Sequence, residues 1–201
     1  MQTFASPEET LAYIGRMLFN RRLTDFAGGN ISLRVGGVMF ITPRHSGAYQ
    51  HWDVDPRTIV SGEIDSDEIL SRPTFSREGK AHLAVYRQFS EANAIIHSHS
   101  FHAQAFCAAG KPIAPILEAN DKFGVIEPIP YAPAHSQALA ENVVEALAAK
   151  RELITRHAAV LMLPRHGLFT VSKDIFLCLD AVERVDWNCF CLLAQKLLPE
   201  D

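Results

Sequence analysis

Cysteine is scarce in this chain. The four present, Cys107, Cys178, Cys189 and Cys191, lie in apolar helical stretches without CxxC spacing. That argues against a disulfide framework or a zinc knuckle and for plain buried thiols. Long apolar runs are missing too: none reaches the roughly 18 to 20 residues of a membrane-spanning helix. The opening MQTFASPEET has neither the basic nor the apolar region of a signal peptide, so the expected compartment is the cytosol. Positive charge is not in surplus. Lys plus Arg is 19 against 23 for Asp plus Glu, a net charge of −4, which is a poor footprint for nucleic acid or an anionic membrane. There is no internal repeat, low-complexity tract or linker. With 48% hydrophobic and 21% charged residues over 201 positions, the chain reads as one folded domain, 1–201. What stands out is histidine, with nine copies.

Strand and helix signals alternate. Ser6-Pro7-Glu8-Glu9 supplies an N-cap, a proline at the first helical position and a glutamate at N3, predicting a helix over about 7–22. Ile31–Val35 and Val38–Ile41, separated by Gly36-Gly37, read as a hairpin. A short strand is expected near Thr58-Ile59-Val60, and helical spacing covers Arg77–Phe89. Ala94-Ile95-Ile96 is a buried strand, Phe101–Ala109 a helix stopped by Gly110, and Ile113–Tyr131 a proline-punctuated strand region. Ser136–Lys150 is helical, Ala158–Leu163 and Leu168–Val171 are strands around a Pro164-Arg165-His166-Gly167 turn, and a last helix runs from Ile175 to Lys196. The pattern is that of a layered α/β domain.

The sharpest chemical signal is His97-Ser98-His99 after the apolar run. Residues two apart on a strand share a face about 6.6 Å apart, so two imidazoles are placed to grip one ion. His166, in its glycine turn, is a candidate third ligand. Taken separately, Glu78 is an ordinary acid in a first helical turn and Gly28-Gly29-Asn30 an ordinary turn. Thr42-Pro43-Arg44-His45-Ser46-Gly47 offers hydroxyls, amides and a cation suited to an anion.

In order, Gly28-Gly29-Asn30-Ile31-Ser32, Thr42-Pro43 with Ser46-Gly47, Ser76-x-Glu78, His97-x-His99-Ser100 and Arg165-His166-Gly167 resemble the class II aldolase and adducin-head family. That family includes fuculose- and rhamnulose-phosphate aldolases and ribulose-phosphate 4-epimerase. The resemblance implies a three-layer α/β/α fold around a largely antiparallel sheet. It also implies a homotetramer with active sites at subunit interfaces and a Zn2+ ion, or Mn2+, Co2+ or another divalent metal, on His97, His99 and His166. Glu78 would be a further ligand or the acid/base, with Gly29 and Asn30 facing the substrate. Thr42, Ser46, Gly47, Ser76 and Arg77 would form the anion pocket, and Glu118 is a further active-site candidate. His102 is a neighbour of the site, whereas His45, His51, His82, His135 and His157 have no motif support and read as surface or structural.

The implied activity is metal-dependent retro-aldol cleavage of a small ketose phosphate, L-fuculose-1-phosphate-like, to dihydroxyacetone phosphate and an aldehyde. Two departures bear on the substrate. Arg44-His45 widens a loop that in phosphate-sugar aldolases reads Thr-Pro-Thr/Ser-Gly, and Arg77 replaces a small hydroxyl residue. Guanidinium groups clamp phosphate but also read carboxylate bidentately, so a decarboxylase, dehydratase or 4-epimerase using the same site is the alternative. A non-catalytic adducin-like interaction module is the alternative of another class. The chain reaches Asp201 without the extension that carries a catalytic tyrosine in some members, which leaves the aldehyde-side proton donor unassigned.

Overall fold

The computed structural model describes residues 4–199; Met1–Thr3 at the start and Glu200 and Asp201 at the end lie outside them. Its centre is a six-stranded sheet of order β3-β2-β1-β4-β6-β5, built from β1 (Asn30–Val35), β2 (Val38–Ile41), β3 (Val60–Glu63), β4 (Ala94–Ser98), β5 (Ala159–Leu163) and β6 (Gly167–Ser172). Every pairing is antiparallel. Strand alternation sends the two sides of the sheet into different cores. Ile95, Leu161, Phe169 and Val171 pack under α3 (Gly79–Gln88), α5 (Gln137–Ala148) and α6 (Arg151–Arg156). Ile31, Ala94 and Ile96 pack under α1 (Pro7–Asn20) and α7 (Ile175–Ala194). Val160, Met162 and Leu168 extend this second side beneath α7 and α4 (Ala103–Ala109). With both faces covered, β4 has no exposed position, which is why it reads as a continuous apolar run. The result is the expected three-layer α/β/α arrangement.

Local signals act as read at most boundaries. Ser6 accepts from the Glu9 amide while the Glu9 carboxylate accepts from the Ala5 amide, and Gly110 closes α4 with φ 60°. The region from Ile113 to Tyr131 is a correction: it forms no strand. Only the single bridges Ile113–Ile126 and Pro128–Met162 occur, and Glu118–Phe123 is a 3-10 turn. Pro112, Pro115, Pro128 and Pro130 cannot donate to a ladder. Asn188 of α7 takes over instead, accepting from the Ile116 and Leu117 amides and donating to the Ala114 carbonyl. The short helix α2 (Ser46–Gln50), its N-cap His45 left-handed, and helix α6 arise where no signal was read.

His82 is buried inside the first core, with Nδ1 2.7 Å from the Ser32 hydroxyl, which also meets the Tyr86 hydroxyl at 2.8 Å. Burial, reinforced by His97, pushes the His82 imidazole down to about 3. The unfolded chain takes up this proton near pH 6.5. Its contribution is therefore complete above about pH 6.5 and is lost as the pH falls from there toward 3, because the unfolded state binds more protons in that window. Between pH 7 and 4.5 the expected loss is on the order of 2–3 kcal/mol. Urea titrations should show that a His82→Gln variant loses correspondingly less stability over this interval than the parent.

Candidate active site

The three histidines of the sequence motif converge where β4 and β6 end side by side. His97 is paired across β4 and β6 with Phe169, and His99 follows two residues on, just past the strand. His166 precedes β6, aimed back by a turn in which Arg165 is left-handed at φ 61°. Ring centroids lie 5.1 Å apart for His97–His99, 4.7 Å for His97–His166 and 5.5 Å for His99–His166. One ligating nitrogen from each falls within 4.8 Å of the others.

The atoms around these rings fit a cation. The His97 Nδ1 lies 2.9 Å from the Leu168 carbonyl, so it carries the proton and leaves the Nε2 lone pair facing the cluster. His99 Nδ1 is 3.3 Å from Asp25, whose carboxylate also accepts from the Ala27 and Gly28 amides. The Nε2 atoms of both His97 and His99 are buried without a hydrogen-bond partner. Burial holds the His97 imidazole below its ordinary range, against the pull of Glu78, which keeps it in the neutral form a metal requires.

Glu78 caps the start of α3 and is buried. Its Oε2 lies 3.0 Å from His97 Nε2 and accepts from Asn30 at 3.2 Å; its Oε1 lies 2.8 Å from His166 Nε2. Burial acts to raise this carboxyl. The neighbouring imidazoles of His97 and His166 outweigh burial and hold it well below the usual carboxylate range. Glu78 is thus an ionised, desolvated base.

Beside the cluster opens a cavity of about 160 Å³ lined by Gly28, Gly29, Asn30, Arg44, His45, Ser46, Gly47, Ser76, Arg77, Glu78, His99, His135 and His166. Gly28 and Gly29 let the backbone come close. A Cβ on Gly28 would stand 2.0 Å from His99 Cε1, and Gly29 has φ 93°, a conformation that L-residues rarely adopt. The buried Trp52 supports this loop by donating from Nε1 to the Asp25 carbonyl at 2.7 Å.

Three expected site residues fall elsewhere. Thr42 is fully buried and accepts from the Ile31 amide at 3.1 Å, a structural bond at the end of β2. Glu118 is exposed on its 3-10 turn, outside the cavity lining. His102 turns away, with Nδ1 2.8 Å from Asp186 and its ring against Phe190. Conversely, His45 and His135, both expected to be surface or structural, line the cavity. Each is left-handed at φ 66° without being glycine.

Residues 9–193 match the model of the Class II Aldolase and Adducin N-terminal domain. An L-fuculose phosphate aldolase of Methanococcus maripaludis is 31% identical over 163 residues, 81% of this chain and 82% of that protein. A 5-deoxy-D-ribulose 1-phosphate aldolase of Bacillus thuringiensis is 26% identical over 204 residues, covering 96% and 90%. Among solved structures, an L-fuculose 1-phosphate aldolase superposes with a TM-score of 0.82 at 22% identity, over 98% of this chain and 92% of that one, which supports the fold. With its antiparallel sheet, its histidine cluster and a match spanning nearly its whole length, this chain belongs to the class II aldolase and adducin N-terminal domain family, as a class II aldolase-type enzyme.

Proposed function

We propose that this protein is a divalent-metal-dependent lyase that cleaves a small ketose phosphate, of the L-fuculose-1-phosphate type, to dihydroxyacetone phosphate and an aldehyde. The observation that carries the reading is the buried Glu78 carboxylate within 3.0 Å of two of three clustered histidines, beside a cavity lined by Ser46, Gly47, Ser76 and two arginines. Relatives named for aldol cleavage of sugar phosphates support it.

His97, His99 and His166 would hold the metal, with zinc, manganese and cobalt all compatible with imidazole ligands. When bound, the cation supplies Lewis-acid stabilisation of charge developing on substrate oxygens. The chain's own groups do the rest. Glu78 takes the proton from the hydroxyl beside the scissile bond. The oxygen pair becomes the aldehyde carbonyl, the C–C pair moves to the phosphate-bearing fragment, and protonation of that fragment completes the cycle. Asn30, by donating to Glu78 Oε2, keeps the carboxylate aimed into the cavity. Ser46, Gly47, Ser76, Arg44 and Arg77 would hold the phosphate.

The same reading includes a cytosolic homotetramer with interfacial sites. The solvent-facing Trp187, Phe190 and Leu193 on α7, with Leu197 beyond it, form an apolar face suited to burial between copies. The two arginines also favour a second use of the site, on an acidic substrate with loss of carbon dioxide. Incubation of zinc-loaded protein with a panel of ketose 1-phosphates should release dihydroxyacetone phosphate, and chelation should abolish the release. Metal-dependent carbon dioxide release from a keto acid, with no cleavage of any ketose phosphate, would replace the first reading with the second.

A further inference from the structure

Asp25 stands in the loop between α1 and β1, just before the glycines that wall the cavity. Its Oδ1 accepts from the Ala27 and Gly28 amides, each at 2.9 Å, and faces His99 Nδ1 at 3.3 Å. The two amide bonds form a local turn that an asparagine oxygen would close equally well. They do not call for a charge. Among the described residues no lysine or arginine pairs with this carboxylate, and the ionisable group it meets is His99.

The two nitrogens of the His99 ring then take different parts. An ionised carboxylate only accepts, so Nδ1 carries the proton and the lone pair is left on Nε2, the atom that is buried without a hydrogen-bond partner. His97 is held in the same tautomer by a neutral group, the Leu168 carbonyl at 2.9 Å. Of these two rings, His99 alone has a negative charge behind it. The carboxylate is itself held in place, because Trp52 Nε1 donates to the Asp25 carbonyl at 2.7 Å and Thr24 Oγ1 to the Gly28 carbonyl at 3.1 Å. Gly28 in turn lies so close to the ring that a Cβ there would stand 2.0 Å from His99 Cε1. One loop fixes both the cavity wall and the direction of a ligand.

We propose that Asp25 is a positioning residue for the metal centre: its Oδ1 receives the Nδ1 proton of His99, turns Nε2 toward the cation and strengthens it as a donor. This rests on the reading of His97, His99 and His166 as ligands, and holds whatever the substrate and whether or not Glu78 also coordinates. A carboxylate behind a ligating imidazole fixes the orientation of the ring and raises its basicity, and loss of such a partner typically costs about 10- to 100-fold in metal affinity.

Asp25→Asn keeps an oxygen for the Ala27 and Gly28 amides and removes the charge, while Trp52 and Thr24 still pin the turn. Full-length parent, Asp25→Asn and Asp25→Ala are titrated with zinc against a competing chelator, and each metal-free protein is melted. Asp25→Asn is expected to bind zinc roughly tenfold more weakly at an unchanged metal-free melting temperature. Asp25→Ala should lose more affinity and some stability as well. Cobalt-loaded protein supplies a signature of the ligand itself: among the paramagnetically shifted imidazole N–H signals, one should move and exchange faster in Asp25→Asn. That of His97, held by the Leu168 carbonyl, should stay in place. Equal zinc affinity and an unchanged cobalt spectrum in Asp25→Asn reduce Asp25 to a turn cap and overturn the proposal. Failure to cleave any ketose phosphate rejects the aldolase reading, while the zinc titration still decides the role of Asp25. A parent that binds neither zinc nor cobalt overturns the ligand reading and the proposal together.

Discussion

Glu78→Gln is expected to lower kcat by about 10²- to 10⁴-fold, the usual contribution of a positioned general base, while leaving stoichiometric metal in place. The substitution keeps the shape of the side chain and its ability to accept from Asn30 on one oxygen. It removes the negative charge and the capacity to take a proton, because the other oxygen becomes an amide nitrogen. Because the three candidate ligands are all histidines, metal content measured on purified Glu78→Gln should match the parent. A variant that lost its metal along with its activity would make Glu78 an obligatory ligand, and one that kept normal turnover would remove it from the mechanism. The expected loss falls on kcat, since the proton is transferred in the transition state and substrate anchoring is left to Ser46, Gly47, Ser76 and the arginines.

Gly167→Ala tests the geometry that brings the histidines together. A Cβ at this position would stand 2.4 Å from the Ser98 carbonyl oxygen, 3.1 Å from His99 Cδ2 and 3.3 Å from His97 Cε1. The first is backbone of the adjoining strand and cannot swing aside, so β4 and β6 must separate at their ends or the turn must shift. Overpacking of this kind typically costs about 1–3 kcal/mol. The larger consequence is local, because the displaced residues belong to two ligands and adjoin the third, His166. Metal affinity should fall at least tenfold, by chelator competition, with the melting temperature lowered by several degrees. Unchanged metal affinity in a destabilised protein would show that the glycine serves only the sheet.

How much of this was legible beforehand depended on whether the determining contact was local. The N-cap of α1, the Gly36-Gly37 hairpin and the buried run of β4 each act within a few residues, and each appears where the pattern put it. The segment from Ile113 to Tyr131 misled because its apolar residues resemble strand while its prolines block pairing; its backbone is satisfied by Asn188, more than fifty residues away. Thr42 and Glu118 were named by motif and loop composition. Whether a hydroxyl faces a cavity or the neighbouring strand's amide is settled by packing alone, and Thr42 meets the Ile31 amide.

The sequence by itself determined the order of the elements and the identity of the clustered histidines, since HxH at a strand end and a histidine before a glycine turn carry their geometry in their spacing. It also placed an acid, Glu78, at the head of α3, whose burial came from packing. Only the tertiary structure decided which oxygen of Glu78 meets which ring, and that His45 and His135, without motif support, border the cavity while His102 turns to Asp186. The physical reason is that ligand spacing along a strand is set by the covalent chain. The partners of a carboxylate are set by which loops the antiparallel sheet folds back over its ends.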